Sequence, residues 1–249
     1  MFSIFNEESP LSETLRDYIN RKLSSFSELE YAYTVVRKKD PSKVLIISSY
    51  PNEWVSFYRA NNLQLTDPVI LTAFKRASPF SWDENITLMS DLKITRIFTF
   101  SKRYNIVNGF TFVLHDPMNN LALLSILIGD NKQSDLESRL ISERGSMQML
   151  LIDINEQMYR LLDSHTAGKA LRPSETEKTL LTPRENEILY WASMGKTYGE
   201  TATIIGVSLS TVKFHMSNVV VKFGVSNAKQ AIRLGAELGL IIPATKAAK

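Results

Sequence analysis

Cysteine is absent from this chain of 249 residues, and histidine occurs only three times. Without cysteine there are no disulfides, no thiolate nucleophile and no cysteine-based metal site, which fits a reducing cytoplasm. The segment MFSIFNEESP has no basic stretch followed by a long apolar one, so we expect no signal peptide. The longest near-continuous apolar run, Leu121–Ile128, is far shorter than the ~20 residues of a membrane-spanning helix. These absences predict a cytoplasmic protein that binds no membrane.

A strong charge of one sign is also missing, because 29 Lys and Arg nearly balance 26 Asp and Glu. The net charge of +3 arises entirely from Ser174 onward, where nine basic residues oppose six glutamates. From Ile205 onward the counts are six and one. A basic C-terminal segment fits contact with nucleic-acid phosphates, although an imbalance of this size also arises by chance.

Motifs that support catalysis are missing as well. The three histidines lie far apart in the chain, and no H-E-x-x-H, G-x-S-x-G or G-x-G-x-x-G pattern is present. Gly195-Lys196-Thr197 imitates the end of a phosphate-binding loop, but Tyr190 stands where that loop needs its earlier glycine. Ser210–Lys213 reads S-x-x-K without any supporting motif. We therefore expect no enzyme, no catalytic residue, no metal and no cofactor.

Residues 181–226 carry the signals of three short helices. Thr197 precedes the second helix, with Glu200 three residues later in the capping-box pattern. Gly206 then supplies a turn, and Ser208 is a suitable cap for the third helix. Two short helices joined by a glycine-containing turn predict a helix-turn-helix unit, whose second helix enters the DNA major groove.

The third predicted helix has an outward face that its period defines. Lys213, Phe214 and Ser217 face outward near its N-terminal half, where such helices contact base edges. Lysine can donate to guanine, phenylalanine can contact a thymine methyl group, and serine can pair with several bases. Four residues at helical spacing are expected to pack inward: Val212, His215, Val219 and Phe223.

Other polar side chains of this segment suit contacts with phosphates, which position a protein on DNA without specifying sequence. They are Lys196, Thr197, Ser210, Thr211 and Lys222. The alternative is an ordinary helical hairpin with solvated lysines, because helix-turn-helix patterns are degenerate.

The chain upstream of this segment mixes strands and helices. Two pairs of β-branched and aromatic runs predict neighbouring strands: Tyr31–Val36 with Val44–Ser49, and Ile106–His115 with Leu121–Ile128. Helical patterns flank these pairs at Leu11–Leu23, Glu53–Asn61, Pro68–Lys75, Leu92–Tyr104 and Asp135–Leu162. Hairpin-like strand pairs among helices predict an α/β domain in which helices sandwich an antiparallel sheet.

A polar stretch without apolar periodicity, DSHTAGKALRPSETEK, follows these elements. It divides the chain into a first domain at residues 1–163, a linker at 164–178 and an all-helical domain at 179–249. A chain of this length suits two domains of ordinary size.

The last predicted helix of the first domain is apolar on more than one face. Its apolar residues are Met147, Leu150, Leu151, Ile154, Met158, Leu161 and Leu162. A helix of this kind is buried on two sides, either inside a monomer or by a partner subunit. We favour a homodimer, because helix-turn-helix modules commonly bind two half-sites as dimers.

Aromatic side chains accompany one carboxylate in the first domain. Tyr50, Trp54 and Tyr58 recur every four residues, and Asp67 and Trp82 follow. Pockets for small apolar ligands combine aromatic walls with a few polar groups that fix the orientation of the ligand. Aromatic residues at this spacing also occur in ordinary cores, and an aspartate before a proline also suits a helix cap.

The C-terminal segment resembles the LuxR-type DNA-binding domain, through the string L-T-x-R-E-x-E-I-L and the residues that follow it. Glu185, Leu189 and Gly195 fall on three positions that recur throughout that family, at its spacings. Thr201 stands where an aliphatic residue is usual. Ser217 stands where a basic residue is frequent, so the base read at that point is open.

The first domain resembles the acyl-homoserine-lactone-binding domain of the same family. The resemblance rests on the order Trp54, Tyr58, Asp67-Pro68, Trp82 and Gly109. It implies a site for an N-acyl-homoserine lactone, with no other cofactor.

The resemblance also implies a role for each site residue. Trp54 would donate its indole N–H to the lactone carbonyl, Tyr50 would donate to the acyl carbonyl, and Asp67 would accept the amide N–H. The remaining contacts would come from Tyr58 on the acyl chain, Trp82 on the lactone ring, and Ser125 on the amide or a 3-oxo group. A short 3-oxo acyl chain is compatible with these roles.

Together the two resemblances cover nearly the whole chain and are similar to an enterobacterial branch of EsaR-like and ExpR-like regulators. They imply a quorum-sensing transcription regulator that binds promoter DNA as a homodimer. Since this branch includes members that bind DNA without ligand, we expect the lactone to release the protein from DNA. Two alternatives stay open: a regulator with another effector or a phosphorylation switch, and an enzyme that acts on lactones.

Overall fold

The computed structural model describes residues 10–26, 29–86, 96–129, 133–166 and 179–243. The chain folds as two compact units. The first contains five strands and six α-helices, and the second contains four α-helices.

The elements of the first unit alternate between helices and strands. Its α-helices are α1 (Pro10–Leu23), α2 (Asn52–Ala60), α3 (Pro68–Ala73), α4 (Arg96–Ser101), α5 (Gln133–Ser142) and α6 (Arg144–Thr166). Its strands are β1 (Tyr31–Arg37), β2 (Val44–Ser48), β3 (Phe80–Trp82), β4 (Gly109–His115) and β5 (Asn120–Leu127). Short 3-10 turns occupy Ser24–Phe26, Leu63–Leu65 and Lys102–Tyr104.

The five strands form one antiparallel sheet in the order β2-β1-β5-β4-β3. The two predicted hairpins, β1–β2 and β4–β5, are present, and β1 joins them by pairing with β5. The register places Thr111 opposite Ser125, and Trp82 opposite Gly109.

Both faces of the sheet are buried, because successive side chains of a strand point to opposite faces. On one face, here called the core face, Tyr33, Phe112 and Leu124 pack against α1 and α6. On the other, here called the pocket face, Val36 and Leu123 pack with side chains of α2, α3 and α4. The predicted antiparallel sheet sandwiched by helices is therefore confirmed.

Three details of the first unit differ from the sequence predictions. Strand β3 was not predicted, because three residues are too few to show an alternating pattern. The single helix predicted over Asp135–Leu162 is two helices, α5 and α6, with a turn at Glu143 beside the weak helix former Gly145. Helix α6 also continues through Thr166, into the predicted linker, and the rest of that linker lies outside the described residues.

The second unit contains α7 (Pro183–Ser193), α8 (Tyr198–Ile205), α9 (Leu209–Phe223) and α10 (Ala228–Glu237). The first three are the predicted helices, and α10 packs against α7 and α9. In the described part of the chain no single helix is both long and apolar enough to cross a membrane. Helices α8 and α9 reach that length and composition only as a pair, and they are bent by 108° at the turn between them.

Candidate effector pocket and nucleic-acid interface

A cavity lies on the pocket face of the sheet, between the strands and helices α2, α3 and α4. All six predicted ligand residues line it: Tyr50, Trp54, Tyr58, Asp67, Trp82 and Ser125. They come from five separate parts of the chain, so the fold brings together residues that only their order had linked. Sequence reasoning missed several further lining residues, among them Val69, Ile70, Phe98, Ser101 and Ile106.

Asp67 is the buried carboxylate of this cavity and also caps helix α3. Its Oδ1 accepts from the backbone N–H of Val69 at 2.8 Å, and its Oδ2 accepts from the Tyr58 hydroxyl at 2.7 Å. Burial raises the pKa of Asp67, and the hydrogen bonds from Tyr58, Val69 and Ile70 partly offset that rise. The two interpretations of Asp67, helix cap and pocket residue, are therefore compatible.

The aromatic wall of the cavity comes mainly from helix α2 and the turn before it. Trp54 and Tyr58 lie on α2, with ring centroids 5.8 Å apart in an edge-to-face arrangement. Tyr50 precedes the helix and lies in the turn. Among the described residues, its buried hydroxyl has no hydrogen-bond partner. Burial also raises the pKa of Tyr50, so this hydroxyl stays protonated and available as a donor.

Trp82 reaches the cavity across Gly109, its neighbour on strand β4. A Cβ atom at Gly109 would lie 2.6 Å from the Trp82 ring and 2.6 Å from the carbonyl oxygen of Ile126. Glycine is therefore required where the indole crosses the strand. The indole Nε1–H donates to Thr111 Oγ1 at 2.9 Å, and Thr111 Oγ1 lies 2.8 Å from Ser125 Oγ.

Sequence reasoning missed Thr111, although it is fully buried beside two predicted site residues. The register of the β4–β5 hairpin, which places Thr111 opposite Ser125, was the signal that could have identified it.

Helices α8 and α9 form the predicted helix-turn-helix, and polar side chains cap both of them. Thr197 Oγ1 accepts from the N–H of Glu200, whose carboxylate accepts from the N–H of Thr197 in return. Gly206 ends α8 in the left-handed conformation, with φ of 67°. Ser208 caps α9 by accepting from the N–H of Thr211 at 3.1 Å.

The outward face of α9 is as predicted, with Lys213, Phe214 and Ser217 all exposed. Phe214 is 62% exposed, which is unusual for a large apolar side chain on a small helical unit. The inward face differs at one position, because Met216 is buried and His215 is only half-buried. The inward positions thus follow the i, i+4, i+7, i+11 pattern, one residue out of phase at their second member.

Four of the five predicted phosphate contacts lie near the N-terminal ends of α8 and α9. Lys196 and Thr197 precede α8, and Lys196 Nζ lies 3.7 Å from Glu200 Oε1. Ser210 and Thr211 lie in the first turn of α9, with hydroxyls 2.7 and 2.8 Å from Ser208 Oγ. Helix N-termini favour anions, so these positions suit phosphate groups.

Lys222 does not share that position, and the structure gives it a different role from the predicted phosphate contact. Its Nζ donates to Glu185 Oε2 at 2.6 Å and to the carbonyl oxygen of Leu180 at 3.1 Å. The Glu185 side chain is only 4% exposed. Burial raises the pKa of Glu185, but the hydrogen bonds from Lys222 and Thr182 outweigh it and hold the pKa below its ordinary value. We therefore assign Lys222 to the internal packing of this unit.

The described residues contain no group of three or more His, Asp or Glu side chains that could hold a metal ion. Two family models match the chain. One, described as the autoinducer binding domain, matches residues 12–158, and the other, described as bacterial regulatory proteins of the luxR family, matches residues 179–234. The first match spans the unit with the cavity, and the second spans the helix-turn-helix.

Relatives match over the full length of the chain. The transcriptional activator protein EsaR of Pantoea stewartii subsp. stewartii is 66% identical over 100% of both chains. The transcriptional activator protein EchR of Dickeya chrysanthemi is 53% identical over 94% of this chain and 93% of its own. The crystal structure of Escherichia coli SdiA aligns over 95% of this chain and 94% of its own, at 23% identity and a TM-score of 0.48.

These matches confirm the expected resemblance, including its EsaR-like branch, and they confirm a regulator instead of an enzyme. The chain belongs to the LuxR family of bacterial regulatory proteins, and joins an autoinducer-binding domain to a DNA-binding domain of that family.

Proposed function

We propose that this chain is a quorum-sensing transcriptional regulator that binds an N-acyl-homoserine lactone and promoter DNA as a homodimer, and that the lactone releases it from DNA. Residues 1–163, with α6 continuing to Thr166, form the effector-binding and dimerisation domain. Residues 179–249 bind DNA, and the stretch between them is the linker. Because its target is bacterial promoter DNA, we place its action in the cytoplasm.

The observation that carries the proposal is the polarity pattern of the cavity. Apolar and aromatic walls surround one buried carboxylate, Asp67, and one buried hydroxyl that lacks a partner among the described residues, Tyr50. A carboxylate that accepts and a phenol that donates are complementary to the N–H and the C=O of an amide. Trp54 supplies an indole N–H for a lactone carbonyl. Tyr58 and Trp82 supply aromatic surface for the acyl chain and the ring.

The DNA contacts follow from exposure and position in the second unit. Lys213, Phe214 and Ser217 are exposed on α9 and are placed to contact base edges. The phosphate contacts come from Lys196, Thr197, Ser210 and Thr211 at the ends of the helices.

The homodimer is supported by helix α6 and the helix before it. The inward side of α6 buries Met147 and Leu151 against the sheet. Its outward side leaves Met149 56% exposed, and Ile141 on α5 is 48% exposed. A second copy would cover this apolar surface, as the two-fold symmetry of a palindromic operator requires.

Release by ligand is supported by the division of the first unit into two cores. The buried side chains between the core face and helices α1 and α6 do not include the residues that line the cavity. Packing of that core therefore does not require a ligand. A ligand that favours a second arrangement of the dimer by about 1–3 kcal/mol would weaken DNA binding about 5- to 150-fold.

The experiment is a DNA mobility-shift titration on purified full-length protein, with and without 3-oxo-hexanoyl-homoserine lactone. We expect the ligand-free protein to shift an operator duplex, and the lactone to raise the protein concentration needed. A scrambled duplex of equal length controls for non-specific binding. Operator binding that occurs only in the presence of lactone would contradict release and indicate activation by ligand instead.

A further inference from the structure

Three polar side chains form a chain of hydrogen bonds on the pocket face of the sheet. The Trp82 indole Nε1–H donates to Thr111 Oγ1 at 2.9 Å, and Thr111 Oγ1 lies 2.8 Å from Ser125 Oγ. The three residues lie on β3, β4 and β5, and the sheet register fixes their spacing. Trp82 and Ser125 line the cavity, whereas Thr111 is fully buried behind them.

The direction of these hydrogen bonds follows from the chemistry of the groups. An indole N–H can only donate, so the Thr111 oxygen accepts from Trp82. Among the described residues, Ser125 Oγ is the one other partner recorded for the Thr111 hydroxyl. If Ser125 donated to Thr111, the Thr111 hydrogen would be buried without an acceptor, which is costly. Thr111 therefore donates to Ser125.

The direction leaves Ser125 with a defined polarity. Its oxygen accepts from Thr111, and its own hydrogen is free to point into the cavity that it lines. A serine hydroxyl alone could present either a donor or a lone pair to a ligand. The chain from Trp82 through Thr111 favours the donor orientation.

We propose that Thr111 is a positioning residue that fixes Ser125 as a hydrogen-bond donor, so that the pocket selects an effector with a carbonyl oxygen at the third carbon of its acyl chain. This inference rests on the proposed lactone function. In that function Trp54 and Tyr50 already donate to the lactone and acyl carbonyls, and Asp67 accepts the amide N–H. The strong acceptor that remains in this class of ligand is a 3-oxo oxygen, and an unsubstituted chain has only a methylene group there.

The test compares two probes of equal chain length, 3-oxo-hexanoyl- and hexanoyl-homoserine lactone, by calorimetric titration of the full-length protein. We expect the unaltered protein to prefer the 3-oxo probe by about fivefold, the contribution of one neutral hydrogen bond. Thr111→Val removes the hydroxyl at similar size and is expected to bring the preference close to one. Thr111→Ser keeps the hydroxyl and is expected to restore the preference.

Two further measurements separate positioning from a general loss of folding. Ser125→Ala should also remove the preference, and the double variant Thr111→Val, Ser125→Ala should lose no more than Ser125→Ala alone. The chain has three tryptophans, so the indole N–H signal of Trp82 can be assigned by nuclear magnetic resonance. That signal should move in Thr111→Val and stay near its position in Thr111→Ser.

Two results would overturn the inference. If Thr111→Val weakened both probes by the same factor, or left their ratio unchanged, Thr111 would have no role in selection, and the lactone function would stand. If neither probe bound the unaltered protein, the lactone function itself would fail, and the role of Thr111 with it.

Discussion

Asp67 serves both the fold and the proposed site, and one substitution can separate the two roles. Asp67→Asn keeps an oxygen that can cap α3, because asparagine caps helices as well as aspartate does. It removes the charge that strengthens a bond to the ligand amide, a loss of about 1.5–3 kcal/mol. We therefore expect the lactone affinity to fall at least about tenfold, with little change in the unfolding of the ligand-free protein.

Lactone titration and thermal unfolding of the same preparation measure both effects. Asp83→Asn is the matched control, because it makes the same change in net charge at an exposed position of the same unit. An unchanged lactone affinity in Asp67→Asn would contradict the role of Asp67.

Thr201 offers a second test at the scale of one residue. It is fully buried on α8, and its hydroxyl has no hydrogen-bond partner among the described residues. Relatives of the family usually have an aliphatic residue at this position. Thr201→Val removes the unpaired hydroxyl at nearly equal size, so the free energy of unfolding should rise by about 1 kcal/mol.

Urea unfolding followed by circular dichroism measures this gain. Thr203→Val is the matched control on the same helix, because Thr203 is exposed and bonds only locally, to the carbonyl oxygen of Gly199. A loss of stability in Thr201→Val would mean that the hydroxyl has a partner that the structure does not record.

The short strand β3 depends on its neighbour β4 for the position of Trp82. Gly109→Ala would place a methyl group 2.6 Å from the indole ring and from the carbonyl oxygen of Ile126. Because backbone cannot retreat from this contact, we expect the indole to leave the sheet and the lactone affinity to fall at least about tenfold. Tryptophan fluorescence and lactone titration report the two changes.

Gly145→Ala provides the control in the same unit, because an added Cβ there meets nothing within 4 Å. A Gly109→Ala variant with normal fluorescence and normal lactone affinity would show that β3 can shift without affecting the pocket.

Helix α9 carries the sequence specificity of the second unit in the proposed function. Lys213→Ala removes a base-edge donor and should relax the preference at one base pair of each half-site, at a cost of roughly 1–3 kcal/mol. Selection from a randomised operator library measures the preference at every position. Lys229→Ala on α10 makes the same charge change away from α9 and should weaken binding evenly. The same profile in both variants would contradict a base contact by Lys213.

Much of this fold follows from local patterns, and the rest depends on partners that are distant in sequence. The hairpins, the capping box at Thr197 and the outward face of α9 could be predicted because their signals lie within a few residues. Lys222 was misplaced because its partner Glu185 lies 37 residues earlier, on another helix. Thr111 was missed because the polarity of its hydroxyl depends on a tryptophan 29 residues away.

The whole molecule joins an effector site to a DNA site, and the coupling between them must act in both directions. If the lactone weakens operator binding by a given factor, saturating operator DNA must weaken lactone binding by the same factor. Lactone titrations with and without the operator duplex measure that factor, and a scrambled duplex is the control. Unequal factors in the two directions would show that the assay reports more than two states.

The alternation of side chains along the strands has a consequence for how this family can diversify. In β5, Leu123 and Ser125 point to the pocket face, whereas Ala122, Leu124 and Ile126 point to the core face. Neighbouring codons of one strand are therefore subject to different selection, one set for ligand recognition and the other for folding. Substitutions at every second position can change the signal that a lineage perceives while the set that maintains the fold stays constant.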